Sequence, residues 1–437
     1  MQWIDGNAHL HPSSGPVDAA VDIPGSKSLT NRYLLCLALA DGASTLRNAS
    51  PSDDAARMLA CLHALQIETR VSANDNTILV RGCAGHFRAT NAALDVHDAG
   101  TVMRFCTALC TLGYGEYLID GSARMRARPI GDEVEALRRL GCGIEYLQEE
   151  DYPPLLVRAA GLAGGHVIPD VSKSSQYLSA LLMVSPYAAN DTFLELNGEL
   201  PSRPYVQMTL DVMSEMGVTV IHDGAESERF IVAAPQSYQP GNYFVEPDAS
   251  GATYFWALAA ATGGRVRVNG LTRKSRQGDV HFVDVLAQMG CSVVEGAEFL
   301  EIVGPPRGQL RGVNVDLNTM PDTVQTLAVL ALFANGKTEI RNVANLRIKE
   351  TDRLSALGAE LGRVGATVDV HRDGITIYPP REFISATIET YNDHRMAMSF
   401  AVAGKLIPDI VIRDAGCVSK SFPGFFPLLE AVAPSVE

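Results

Sequence analysis

The sequence contains no apolar run approaching the roughly 18 residues that a membrane-spanning helix needs. Its longest such stretches, Tyr254–Thr262 and Leu34–Ala40, stop far short, which excludes a helical membrane protein. The first sixteen residues carry neither Lys nor Arg and no apolar segment, so no secretory or transit signal is expected and a cytoplasmic location is. The eight cysteines include no C-x-x-C pair, and the ten histidines show no H-E-x-x-H or other ligand spacing. Cys106 and Cys110 lie one helical turn apart without further ligands beside them, as small buried residues do. Neither a metal nor a cofactor is therefore expected. Positive charge is also scarce: 36 Lys and Arg against 50 Asp and Glu give a net charge of −14, which opposes nucleic acid or an acidic membrane as partner.

What is present begins with a repeat. The 437 residues are 46% apolar and 20% charged, enough to bury at least two cores. Six segments follow one plan: a polar cluster, an Ala- and Leu-rich helix, a turn, then an alternating strand. They open near Ser26, Asp98, Ser174, Asp248, Asp322 and Asn392, at intervals of about 70 to 76 residues. A second helix follows in each unit and ends at a glycine turn, as at Gly141, Gly290 and Gly365, before strands such as Ala366–Val370 and Gly374–Tyr378. Six mixed modules are too many for one core, and two domains of three modules are the natural division.

The cations gather at these openings: Lys27 and Arg32, the run Arg124, Arg126 and Arg128, Lys349 and Arg353, Arg395, and Lys420. Helix N-termini attract anions through their unpaired N–H groups, so converging openings would form a site for small, highly charged anions. Each Ser, Asp or Asn there also suits a plain N-cap, and each cation a solvated surface. PGSKSLTNR is not a phosphate loop, because Ser26 stands where G-x-x-x-x-G-K-[ST] requires glycine, and an NTPase is disfavoured. In NLRIKETDRL, Lys349 and Arg353 are four apart and read as one face of a helix that Asn345 or Thr351 would cap. Glu350 between them is a candidate proton donor or acceptor, and Asp322 reads equally well as a helix cap.

PGSKSLTNR, DAGTVMR, RMRARPIGD, SSQYLSALLM, EPDAS, MPD, NLRIKETDRL, YNDHRMAM and CVSKSFP occur in an order and spacing that resembles the 5-enolpyruvylshikimate 3-phosphate synthase family of enolpyruvyl transferases, over essentially the whole chain. The resemblance implies an α/β fold, a two-domain inside-out α/β barrel of six repeated helix/strand modules, three per domain. One domain would comprise residues 24–245 and the other residues 1–23 and 246–437, with the active site in a cleft that closes on the substrates. It implies transfer of the enolpyruvyl group of phosphoenolpyruvate to the 5-hydroxyl of shikimate 3-phosphate, by addition then elimination of phosphate, in a monomer. Ser28 and Arg32 would hold the shikimate carboxylate, and Ser174, Ser175 and Ser202 its 3-phosphate, with Lys27, Gln176, Asp322, Asn345 and Lys349 completing that site. Lys27, Gly100, Arg128, Gln176 and Lys420 would hold the phosphate of phosphoenolpyruvate, and Arg353 and Arg395 its carboxylate, a group that planar guanidinium forks suit. Asp322 would take the hydroxyl proton, and Glu350 and Lys27 would move protons at C3.

Three positions depart from that family's usual pattern. Asp98 stands where an asparagine is usual and needs an arginine, Arg104 or Arg128, to neutralise it beside a phosphate. Phe105 replaces a proline and Lys173 an apolar residue. Gly100 leaves room for the analogue glyphosate, although Phe105 could shift its helix. Two other readings are a UDP-N-acetylglucosamine enolpyruvyl transferase and an inactive anion-binding repeat protein.

Overall fold

The computed structural model of the chain describes residues 1–72, 75–223 and 228–435. The repeat becomes sheet topology. Among the described residues there are six four-stranded sheets, and all six share one pattern: a first strand runs parallel to a second, which is antiparallel to a third, which is antiparallel to a fourth. The sheet of Asn91–Asp95, Tyr114–Asp120, Leu155–Ala160 and Gly143–Tyr146 illustrates it, with Asn91 opposite Glu116 and Leu155 opposite Ile119. A parallel pair needs a crossover, and here the helix Gly100–Cys110 supplies it.

The chain divides into two compact units, residues 1–24 with 246–437 and residues 25–245. Each closes on itself. In the unit of residues 25–245, the late strand Asn242–Phe244 pairs in parallel with Ala43–Arg47 and completes the first module's sheet. In the other unit, Asn7–Leu10 pairs with Ile410–Ile412, so strands from near both chain ends share a sheet.

The first helix of each module is apolar almost all round, which fits a helix buried on every side. Every residue of Gly100–Cys110, of Ala249–Thr262 and of His394–Gly404 is buried. The second helices are amphipathic, as in Gly131–Arg139 and Arg353–Arg363, with one face buried and the other exposed. Gly365, at φ +101°, turns the chain out of the latter helix in a conformation other residues adopt only with strain. Each unit has its own apolar core, one including Trp256, Phe255 and Phe425 and the other Tyr33, Phe105 and Tyr238. Cys106 and Cys110 belong to the second of these. Among the described residues, no helix is long and apolar enough to cross a membrane.

The expected caps hold at Ser26, Ser174 and Asp248, whose side chains accept from Leu29, Gln176 and Gly251. The other three differ. Ala99, not Asp98, occupies the N-cap of Gly100–Cys110, and Asp393, not Asn392, caps His394–Gly404. Asp322 sits inside a single 3-10 turn, Pro321–Thr323, and makes no cap. The helix after NLRIKETDRL is capped by Asp352, with Ser355 N–H donating to its carboxylate, rather than by Asn345 or Thr351. Lys349 ends the separate 3-10 segment Ala344–Ile348, so Lys349 and Arg353 do not share a helix face.

Candidate active site

Within residues 25–245, three buried helices begin at Lys27, Gly100 and Ser175. Arg32, one turn into the first, is 1% exposed. Its guanidinium donates to Thr209 Oγ1 at 2.8 Å, Ser28 O at 3.0 Å, Tyr205 O at 3.0 Å and Ser179 Oγ at 3.3 Å, and lies 5.4 Å from the centre of the Phe105 ring. All these partners are neutral, and among the described residues no carboxylate lies within ion-pair distance. Burial pushes its pKa down to about 10, although Tyr205 opposes this. A buried cation held only by neutral groups is a place for an anion to complete. Lys27, half-buried beside it, is ion-paired with Asp54 at 3.0 Å.

Arg128 is also buried and lies against the start of the second helix. A β-carbon on Gly100 would stand 2.5 Å from its Nη1 and 2.7 Å from its Cζ, so glycine is what lets the guanidinium lie there. Arg104 donates from Nη1 to Gly100 O at 3.2 Å and from Nη2 to Pro129 O, while Tyr177 donates to the same Pro129 O at 2.8 Å. Arg104 thus does not neutralise Asp98, which accepts from Ser122 and stands 3.3 Å from His97. At the third helix, Ser174 is the cap, Ser175 the first helical residue, and Gln176 donates to Thr101 Oγ1 at 3.3 Å. Lys173 is ion-paired with Asp132 at 2.8 Å. Ser202, 4% exposed, takes a left-handed backbone at φ +55° before Arg203–Glu215.

The other unit builds a denser cluster. Arg353, 1% exposed, donates to Asp393 at 2.7 Å, Glu350 at 2.9 Å and Asp322 at 3.1 Å. Burial alone would lower its pKa, but Asp393, Glu350 and Asp322 together hold it above the ordinary value. Arg395 donates from Nη2 to the second oxygen of Asp322 at 2.6 Å and from Nη1 to Tyr254 Oη at 3.4 Å. Asp322 is therefore clamped between two guanidiniums. Lys420, 8% exposed, lies 3.9 Å from Glu350. Asn345 and Lys349 are half-buried on the 3-10 segment that leads into Glu350. Among the described residues, no group of three or more His, Cys, Asp and Glu is placed to hold a metal ion.

Sequence reasoning passed over Asp54, Asp279 and Asp393. Asp393 had a signal, since it stands inside YNDHRMAM, whereas Asp54 follows an ordinary capping serine and gives none.

The model of the EPSP synthase (3-phosphoshikimate 1-carboxyvinyltransferase) family matches residues 12–429. A 3-phosphoshikimate 1-carboxyvinyltransferase of Nostoc sp. (strain PCC 7120 / SAG 25.82 / UTEX 2576) is 48% identical over 94% of this chain and 96% of its own. That of Aliivibrio salmonicida is 45% identical over 97% and 99%. Among solved structures, an EPSP synthase from Acinetobacter baumannii superposes with a TM-score of 0.81 over 99% of both chains at 24% identity. The enolpyruvyl transferase NikO from Streptomyces tendae gives 0.74 over 97% and 96% at 16% identity, and both structures speak for the fold alone.

Proposed function

Because the chain belongs to the EPSP synthase (3-phosphoshikimate 1-carboxyvinyltransferase) family, we propose that residues of both clusters serve its reaction. The protein is a transferase that moves the enolpyruvyl group of phosphoenolpyruvate to the 5-hydroxyl of shikimate 3-phosphate and releases phosphate. Which residues perform it is our reading. Ser28 and Arg32 hold the shikimate carboxylate, and Ser174, Ser175 and Ser202 hold the 3-phosphate, with Gln176, Asn345 and Lys349 around the ring. The buried Arg32 with neutral partners supports the first assignment, and the start of the helix Ser175–Val184 the second. Lys27, Arg128, Gln176 and Lys420 take the phosphate of phosphoenolpyruvate over the bare Cα of Gly100. Arg353 and Arg395 take its carboxylate.

In the addition step, the 5-oxygen bonds to C2 of phosphoenolpyruvate while Asp322 takes the hydroxyl proton and C3 gains a proton from Glu350 or Lys27. In the elimination step, C3 returns a proton to that pair, the C2=C3 bond re-forms and phosphate departs with the C2–O electrons. The clustered cations offset the repulsion of two anionic substrates and orient the reacting atoms. The observation that carries this reading is Asp322 bridging Arg353 and Arg395 while Glu350 shares Arg353. One cluster thus unites the proposed base, the proton carrier and the carboxylate grip.

The same reading has a monomer in the cytoplasm that binds neither nucleic acid nor membrane, in keeping with the net charge of −14. Phosphate release from phosphoenolpyruvate with shikimate 3-phosphate, and with UDP-N-acetylglucosamine in its place, tests the assignment. Wild type should turn over the first acceptor only. Asp322→Asn and Glu350→Gln should each lose most of that turnover while still binding both substrates, and retained turnover would overturn these roles.

A further inference from the structure

A buried carboxylate that the chemistry above does not use lies behind the proposed base. The helix Ala249–Thr262 is pinned at its start by Gln277, whose Oε1 accepts from Ala249 N–H at 3.0 Å and whose Nε2 donates to Pro247 O at 2.7 Å. That pin seats the short turn Gly278–His281 against the helix. On this turn Asp279 is 2% exposed and accepts the hydroxyl of Ser250, the second residue of the helix. Ser250 in turn lines a small cavity with Asp248, Gly251, Tyr254, Ser421 and Arg395. Arg395 is the guanidinium that grips Asp322, and Thr253 and Thr326 share a hydrogen bond at 3.1 Å that ties the helix to the one following Asp322.

The charges around Asp322 pose a difficulty for a base. Two guanidiniums within hydrogen-bonding distance favour its ionised form and lower its affinity for a proton. Around Arg353 that pull is balanced by Asp393 and Glu350. On the Arg395 side, a second negative charge is available at Asp279.

We propose that Asp279 is a positioning residue for the transfer reaction, whose buried negative charge, anchored by Ser250, raises the proton affinity of Asp322 against the two arginines. This rests on Asp322 being the base. The groups that act on Asp279 are consistent with the geometry: burial raises its pKa, Asp322 and Asp248 raise it further, Ser250 and Arg395 lower it, and the outcome is about 7. Coupling of this kind is reciprocal, so a charge on Asp279 acts equally on Asp322. Tyr254, also facing Arg395, is held up to about 12 chiefly by burial and does not titrate in this range. Asp279 is then charged above neutrality and supports the base, and is protonated below it and does not.

The test is the single-turnover rate of phosphate release for wild type and Asp279→Asn from pH 6 to 8.5. Asparagine keeps the shape and still accepts from Ser250. One unit of lost proton affinity at Asp322 makes wild type about three- to tenfold faster than Asp279→Asn at pH 8.5, for a Brønsted slope of about one half to one, with the two converging near pH 6. A ratio that stays constant across this range, whether one or larger, would overturn the inference, because a structural role is indifferent to the charge on Asp279. Should Asp279→Asn fail to fold, Ser250→Ala serves: losing that donor raises the proton affinity of Asp279, so its rate should fall below wild type chiefly between pH 7 and 8, and an unchanged profile would count against the idea. Asp322→Asn separates the two levels. If it stays active, the base is wrongly assigned; if it is inactive while the Asp279→Asn ratio is flat, only the role of Asp279 is lost.

Discussion

The two units surround their most buried arginines in opposite ways. In residues 25–245, Arg32 and Arg104 are buried against hydroxyls, carbonyls and a ring, with no carboxylate in ion-pair distance among the described residues. Glu133, a fully buried acid of this unit, has its pKa raised by burial against the pull of Arg104, which favours its neutral form. In the other unit, Arg353 carries three carboxylates and Arg395 shares one of them. On the assignment proposed above, the substrate supplies the counter-charge that Arg32 lacks, and binding would relieve a desolvation cost already present in the empty protein. Where the protein supplies its own carboxylates, at Arg353 and Arg395, those carboxylates include the proposed base Asp322 and the proposed proton carrier Glu350.

That contrast can be broken most severely at Asp322. Asp322→Asn should lower kcat by about 10²- to 10⁴-fold, the usual reach of a general base, with KM for shikimate 3-phosphate changed far less. A KM effect as large as the kcat effect would move Asp322 from chemistry to binding. The next test compares two arginines as buried as each other. Arg353→Met strands Asp393, itself fully buried, and should cost about 3–5 kcal/mol in denaturant unfolding. Arg32→Met strands no charge, so the empty protein should change by less than about 1 kcal/mol, while its affinity for shikimate 3-phosphate falls by roughly two orders of magnitude. Equal losses of stability would erase the contrast between the units.

The sequence announced the six modules because each places an Ala- and Leu-rich helix before a strand of its sheet, and those segments mark the helices directly. The capping residues were less legible. Asp98, Asp322 and Asn392 look like caps by type, but Asp322 is drawn off by two arginines that come from segments 31 and 73 residues away. Distance along the chain hides such pairs. The same holds for Arg32, whose partners Ser179 and Thr209 lie 147 and 177 residues on, so nothing nearby could show that its neighbours are all neutral. The resemblance named both arginines, but it could not say which carry their own counter-charge.

Gly100→Ala sharpens the comparison within residues 25–245. The added methyl would meet the guanidinium of Arg128 at 2.5 Å, and the far end of a long side chain yields more easily than backbone. The fold should therefore persist, while Arg128 shifts and KM for phosphoenolpyruvate rises about tenfold, the worth of a partly lost charge-assisted contact. Shikimate 3-phosphate binding, assigned to other residues, should stay as it is, which equilibrium titration of each ligand would check.

The smallest effect expected is at Glu133, and it decides whether the uncompensated cations are real. Glu133 is fully buried and its pKa in the fold is raised by burial, so folding takes up a proton once the pH exceeds the ordinary carboxylate value. Its contribution to stability is then full in acid, below the unfolded pKa, and is lost as pH rises toward the folded one. Glu133→Gln removes this slope and should unfold at slightly higher denaturant than wild type at neutral and alkaline pH, with turnover unchanged. If Glu133 were instead the ionised partner of Arg104, glutamine would leave that arginine without its counter-charge and the protein would be less stable at every pH above the carboxylate range. The sign of one stability difference at pH 8 therefore distinguishes a unit that keeps its cations for the substrate from one that neutralises them itself.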